Sequence, residues 1–432
     1  MQTFDLHESE VRGYCRSWPA VFQTAHGWTL TDEHGREYLD FFAGAGALNY
    51  GHNHPALIDA LVDHVRGGHV LHGLDMATTT KRTFIERFHE VVLAPRGLDY
   101  KLQFPGPTGT NAVEAALKLA RKVTGREQVV GFTNAFHGMT LGSLAVTGNS
   151  MKRKGAGVPL TFADSLPFDG FLGDDVDTVD YVAALLADGT GLDTPAAVIV
   201  ETVQAEGGIN AAEADWLRRL DKLCKEHGIL LVIDDIQVGC GRTGPFFSWE
   251  EAGIDPDIVC LSKSLSGSGL PLALTLLKPE HDVWEPGEHN GTFRGNNPAF
   301  ATATAALDLF WQDDTLRREV DRKAALVTEG LESLAQRHDG IYEELRGRGL
   351  IQGVRTTVPE AADAVAAAAF ERGLLVETAG PADEVVKLLP PLIVDDAAIA
   401  QAFEVLDEAT EAVVERLGED LLTSEADAEV GS

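Results

Sequence analysis

Two residues of this chain could do covalent chemistry together, Lys263 and Asp234. Each closes an apolar run: Ile229-Leu-Leu-Val-Ile-Asp234 and Asp257-Ile-Val-Cys-Leu-Ser-Lys263. A lysine amine at the dry end of a buried strand is poised to lose its proton and form a Schiff base with a carbonyl. A carboxylate beside it could keep a pyridine nitrogen protonated. Pyridoxal phosphate needs both partners to act as an electron sink. Taken singly, each charge also reads as an ordinary strand-end cap or a surface residue.

These charges need a frame. A third run, Ala196-Ala-Val-Ile-Val-Glu201, again ends in an acid. Continuous β-rich runs of this length suit buried parallel strands, with the amphipathic stretch Glu213–His227 as a crossover helix. In an open α/β sheet, ligands bind at the carboxyl ends of the strands, where all three charges fall. The expected class is therefore α/β, with a mostly parallel central sheet flanked by helices.

Further candidates flank this frame. Gly106-Pro-Thr-Gly-Thr-Asn111 precedes a run with helical period over 112–123. Gly109, Thr110 and Asn111 then stand at a helix N-terminus, where free N–H groups suit a phosphate. The same residues also read as a plain Thr/Asn cap. Phe136 and His137 follow the expected strand Val129–Phe132, where an aromatic ring is either core or a stacking face for a cofactor. Lys152–Lys154 reads as a solvated basic run. Gly239-Cys-Gly-Arg-Thr-Gly244 matches a dinucleotide fingerprint, but Pro245-Phe-Phe follows where that site needs a helix. His52 and His54 lack acidic, His or Cys partners at metal-ligand spacing, so no metal is expected.

Three stretches carry a resemblance: Glu201-Thr-Val-Gln-Ala-Glu-Gly-Gly208, Asp234-Asp-Ile-Gln-Val-Gly-Cys-Gly-Arg-Thr-Gly244 and Leu261-Ser-Lys-Ser-Leu-Ser-Gly-Ser-Gly-Leu-Pro271. Their order and spacing resemble the central motifs of the class III aminotransferases, pyridoxal-phosphate enzymes of fold type I. The resemblance extends over nearly the whole chain. It implies that Lys263 holds the cofactor and carries the proton, and that Asp234 faces the ring nitrogen. Phe136 and Ile236 would cover the two ring faces, with His137 beside them and Gln237 at the ring oxygen. Gly109, Thr110 and Asn111 would take the phosphate, joined by Thr292 from a neighbouring subunit, so that the working unit is a homodimer or larger. Glu206 and Lys387 would meet the substrate. Lys387 stands where many relatives place an arginine, and offers a point charge in place of a fork. The implied reaction passes the amino group of glutamate to an amino-acid semialdehyde. Aspartate semialdehyde, on the route to ectoine, is the best match, with 4-aminobutyrate- or ornithine-type transfer, an aminomutase or a decarboxylase as alternatives.

Length and composition agree with such an enzyme. The 432 residues allow two domains, expected as 51–318 and 319–432. Residues 1–50, with a hairpin over Trp28–Asp40, should pack with the smaller one, and the acidic stretch 419–432 should form a frayed tail. The charge, 35 basic against 67 acidic residues, argues against nucleic acid and anionic membranes as partners. Cys15, Cys224, Cys240 and Cys260 show no paired spacing and read as free thiols of a cytoplasmic protein. The polar start, Met1-Gln-Thr-Phe-Asp, reads as neither signal nor transit peptide.

Overall fold

The computed structural model describes residues 1–430 except Asp174, Asp188 and Gly189, and only the backbone over 417–430. Its centre is a seven-stranded sheet. From one edge the order is Lys101–Gln103, Leu274–Leu277, Ile258–Leu261, Leu230–Asp234, Ala197–Val200, Val129–Phe132 and Ala163–Leu166. The five strands from Ile258–Leu261 onward pair in parallel, and Leu274–Leu277 and Lys101–Gln103 add antiparallel pairs at one side. Every residue of the strands Ala197–Val200, Leu230–Asp234 and Ile258–Leu261 is buried, which is why these runs are apolar throughout and not alternating.

The crossover helix is Ala214–His227, and it ends on Gly228 in the left-handed conformation (φ +58°). The helix expected over 112–123 starts earlier, at Gly109, because Thr108 and Asn111 close a reciprocal capping box. The strand Leu274–Leu277 lies antiparallel beside Ile258–Leu261. Gly239–Gly244 folds as buried turns with no helix after it, as Pro245-Phe-Phe foretold.

The N-terminal hairpin pairs Thr29–Asp32 with Glu37–Asp40. Its turn is held by Asp32, whose Oδ1 accepts the N–H groups of His34 and Arg36 at 2.9 Å each. Strand Glu37–Asp40 then pairs with Leu374–Leu375, so the first fifty residues join the last third of the chain. That last third holds a second sheet, in the order Tyr342–Arg348, Ile351–Thr356, Val385–Leu388, Glu377–Ala379. Residue 318 lies in the first turn of the helix Thr315–Arg337. The helix Asp396–Val430 runs into the expected tail, whose side chains lie outside the described residues.

One buried side chain fastens these parts. Arg242 has no exposed surface. It donates to Leu350 O at 2.8 Å, to Asn49 Oδ1 at 2.6 Å and to Pro390 O. The loop after the central strand, the N-terminal segment and the second sheet meet on this guanidinium. Its five N–H donors let one residue serve three backbones or side chains at once.

Candidate active site

The carboxyl ends of Leu230–Asp234 and Ile258–Leu261 deliver Asp234 and Lys263 to one face of the sheet. Parallel pairing sets Asp234 opposite Cys260, three residues before Lys263. Lys263 adopts φ +51°, a left-handed conformation rare for a residue with a side chain. Strain of this kind costs about 1–3 kcal/mol and persists only where the surroundings impose it. They do so here. Ser262 Oγ donates to Leu272 O at 2.8 Å, Ser264 Oγ to Gly46 O at 2.6 Å, and Thr302 Oγ1 to Ser266 O at 2.7 Å. The lysine is thus aimed by its neighbours on both sides.

Asp234 is buried and held at both oxygens. Oδ2 lies 2.7 Å from His137 Nδ1, and Oδ1 accepts the Ile236 N–H at 3.2 Å. Burial works against a charged His137, but the hydrogen bond and charge of Asp234, with Glu201 behind, overcome it and raise the imidazole pKa. The result is a buried imidazole–carboxylate hydrogen bond anchored by a strand end.

The helix Gly109–Thr124 meets Ile236, two residues past Asp234, at its first residue. A Cβ on Gly109 would sit 3.0 Å from the Ile236 side chain, a crowded contact that glycine avoids. The N–H groups of Gly109 and Thr110 have no partner inside the helix. Thr110 Oγ1 is 2.6 Å from Thr140 Oγ1 and donates to Ser143 Oγ at 2.8 Å. The Asn111 side chain turns back to Thr108, with Oδ1 2.8 Å from the Thr108 hydroxyl.

Phe136 is half-buried, and its N–H donates to Glu201 Oε2 at 2.9 Å. Lys152, expected to be solvated, lies with its ammonium 4.5 Å from the centroid of the Phe136 ring. This cation–π contact fixes one face or edge of the ring. Gln237 Nε2 donates to Ala45 O at 2.7 Å and to Glu206 Oε1 at 3.1 Å, while its Oε1 is buried and unpartnered.

Lys387 has no exposed surface, so it is not a solvated lysine on a surface strand. Its ammonium lies 2.8 Å from Glu377 and 3.0 Å from Glu206, and it donates to Ala205 O at 3.3 Å. Burial opposes the charges of both Lys387 and Glu206. Their mutual attraction prevails: the lysine is raised, and the glutamate is brought down to about 2. Lys263, close enough to feel both, is lowered by burial first and by Lys387, against the opposing pull of Glu206, Glu377 and Asp234. It makes no described hydrogen bond or ion pair.

Thr292 stands apart. It is exposed, its carbonyl accepts from His72 Nε2 at 2.8 Å, and no described contact joins it to Thr110 or Lys263.

Sequence reasoning missed three contributors. Glu201 was noticed as a strand-end acid but not as the acceptor for Phe136. Burial drives its carboxyl up to about 8, with His137 opposing and Asp234 reinforcing the shift. Glu377 lies directly across the strand pair from Lys387, a register visible only once the sheet is known. Tyr14 reaches Glu377 from the N-terminal segment, and burial with that carboxylate raises its hydroxyl pKa.

The donor set fits pyridoxal phosphate. The glycine-floored helix start would suit a phosphate and the aspartate held at both oxygens a ring nitrogen, while Lys263 has no partner among the described residues. Comparisons with known proteins agree. The family model described as Aminotransferase class-III matches residues 14–410. The diaminobutyrate–2-oxoglutarate transaminase of Halalkalibacterium halodurans is 56% identical, covering 96% of this chain and 97% of its own. That of Streptomyces anulatus is 60% identical, covering 91% and 94%. The ornithine aminotransferase structure from Toxoplasma gondii superposes with a TM-score of 0.83 at 27% identity, covering 96% of this chain and 95% of that one. A Virgibacillus transaminase structure shares the fold, with a TM-score of 0.86 at 22% identity over 96% and 99%. With the matched region running through both sheets and every segment of the site, the chain belongs to the class III aminotransferases.

Proposed function

We infer that this chain is a pyridoxal-phosphate transaminase. It moves the amino group of L-glutamate to L-aspartate 4-semialdehyde, giving L-2,4-diaminobutyrate and 2-oxoglutarate. The observation that carries the chemistry is the pinned, unpartnered Lys263 at a strand end beside the His137–Asp234 pair. The substrate assignment rests on relatives of that name at 56% and 60% identity over nearly full length.

When bound, the cofactor supplies an aldehyde for amines and a protonated ring that draws electrons from the substrate carbon. The residues of the chain do the rest. Lys263, its pKa lowered by burial, holds the cofactor and then moves the proton at the reacting carbon. Asp234 keeps a negative charge at the ring nitrogen, fixed by His137 and the Ile236 N–H. Phe136 and Ile236 hold the ring between them. The free N–H groups of Gly109 and Thr110, with the Thr110 hydroxyl, receive the phosphate. Asn111 supports that cradle through its cap. Gln237 is placed to bond the ring oxygen if its amide releases one of its two present acceptors. Glu206 and Lys387 meet the far end of the substrate.

Thr292 serves the phosphate pocket of a second copy, so the working unit is a homodimer. Its exposure supports this, as do the exposed apolar residues Leu71, Met76, Met139, Leu141 and Phe293.

The test is a panel of amino donors and aldehyde acceptors with the purified holoenzyme. Formation of 2-oxoglutarate from glutamate should depend on aspartate semialdehyde and exceed that with other acceptors. Turnover of glutamate without any acceptor, or release of carbon dioxide, would point to a different reaction on the same fold.

A further inference from the structure

The cluster around Lys387 carries two carboxylates for one ammonium. Lys387 faces Glu377 at 2.8 Å and Glu206 at 3.0 Å, and all three are withdrawn from solvent, Glu206 least. Glu377 stands opposite Lys387 in the antiparallel register, so its place is set by the sheet and not by a flexible loop. Glu206 lies on the side of a cleft also lined by Phe136, Lys152 and Gly380. Glu377 is therefore the inner acid and Glu206 the outer one.

Hydrogen-bond capacity is unbalanced in the same direction. Lys387 donates to Glu206 and to Ala205 O, and its ammonium also pairs with Glu377 at 2.8 Å. Both N–H groups of Gln237 are spent on Ala45 O and Glu206. Tyr14 stands near Glu377, whose charge raises the Tyr14 hydroxyl pKa together with burial. What remains open is acceptor capacity, including Gln237 Oε1, which is buried without a partner. A ligand that completes this seat must bring N–H donors and positive charge.

The two substrates of the proposed reaction differ at that end. Glutamate, reacting through its α-amine, presents a second carboxylate. Aspartate semialdehyde and diaminobutyrate, reacting at carbon 4, present an α-ammonium beside an α-carboxylate. A seat with only Lys387 and Glu206 would be neutral and would serve the dicarboxylate well. We propose that Glu377 is a specificity-determining residue. By setting a second carboxylate against Lys387, it offsets the positive charge of that ammonium at the substrate end and so selects the partner that carries an α-ammonium. Glu377 acts through the field and through the position of Lys387, while Glu206 and Gln237 Oε1 take the ammonium directly. The proposal rests on the transaminase reading above.

Glu377→Gln tests it, since it keeps shape and removes charge. Assays belong well above the Glu377 pKa, which burial pushes up to about 7 against the pull of Lys387. The two half-reactions are followed separately by the cofactor's absorbance, one with glutamate and one with diaminobutyrate. Binding of each amino acid is also measured by calorimetry in a Lys263→Ala background, which does not depend on turnover. The expected result is weaker binding of diaminobutyrate and unchanged or tighter binding of glutamate. The ratio of their KM values should shift about tenfold, equivalent to about 1.4 kcal/mol, with kcat nearly unchanged. Glu377→Asp should restore most of the ratio.

Tyr14→Phe, on a half-exposed residue, provides a second variant should Glu377→Gln fold poorly. It removes a polar neighbour of Glu377 and should move the ratio the same way by less. An unchanged ratio, or an equal loss for both amino acids, would overturn the proposal and leave Glu377 a structural partner of Lys387. If the wild-type enzyme itself fails to convert diaminobutyrate with 2-oxoglutarate, the transaminase assignment falls instead.

Discussion

The two ends of the active site solve the problem of buried charge differently. At the ring end, one imidazole meets one carboxylate at 2.7 Å, and Asp234 takes its second bond from the backbone of Ile236. Each charge has one counterpart, and the carboxylate ends a strand of the central sheet. At the substrate end, one lysine is shared between two acids drawn from two different segments, Glu206 and Glu377. A matched pair on a strand end holds one fixed geometry, which suits a resident cofactor. A shared cation leaves one partner exchangeable, which suits two substrates that alternate in the same space. Buried pairs contribute little net stability, so the return on both arrangements is positional.

The largest expected effect breaks the link between the ends. Lys263→Ala removes the group proposed to hold the cofactor and carry the proton, and turnover should fall at least roughly a thousandfold. The protein should still fold and bind cofactor, as an unchanged circular dichroism spectrum and a cofactor titration would show. Substantial residual transamination would remove Lys263 from its role.

Next comes the ring end alone. Asp234→Asn keeps a hydrogen-bond partner for His137 but discards the charge. Loss of one preorganised electrostatic contact at a reacting centre costs about a hundredfold to a thousandfold in rate. The measurement is kcat with cofactor saturating. Near-normal rates would make Asp234 a structural anchor.

At the substrate end, Lys387→Ala should raise KM for glutamate and 2-oxoglutarate together. One charge-assisted hydrogen bond contributes about 1.5–3 kcal/mol, so catalytic efficiency should fall about tenfold to a hundredfold. Because Glu206 and Glu377 would then face each other uncompensated, a lower melting temperature should accompany the loss. This variant and Glu377→Gln should shift the preference between glutamate and diaminobutyrate in opposite directions. A shift in the same direction from both would dissolve the contrast between the two ends.

The smallest effect is a pH dependence, read on cofactor-free protein. Glu201 has its carboxyl raised to about 8 in the folded state, above an unfolded value near that of an ordinary glutamate. Its contribution is therefore fully present below the unfolded pKa and lost as pH rises through the folded one. Stability should decline between about pH 5 and about pH 8 on this account, and Glu201→Gln should flatten that part of the melting curve. Glu206, brought down to about 2, has the opposite sign: its contribution is present above pH ~4.5 and lost as pH falls towards 2.

The same contrast explains what could be read from the amino-acid sequence. The ring end was legible because parallel strands announce themselves as apolar runs and deliver their last residue to one face. Asp234 and Lys263 followed from that rule with the family resemblance, while the helix behind Gly109 was legible from its period but placed three residues late. The substrate end was only half legible. Glu206 and Lys387 were named through resemblance, but Glu377 sits opposite Lys387 only because two short strands pair in one register among several possible. Tyr14 arrives from a four-residue helix at the other end of the chain, with nothing local to mark it. Lys152 read as solvated because a short basic run carries no sign of the aromatic ring beneath it.

Arg242 has a consequence for how the molecule reaches this state. Its three partners are 108, 148 and 193 residues away along the chain. None of these bonds can form until distant segments have already met, and a charged group must shed its water at that moment. Contacts of such long sequence separation slow folding, because loop closure precedes any gain from them. Arg242 is thus a late arrival in the folding of the chain, and refolding of Arg242→Met should show a changed final phase with earlier phases intact.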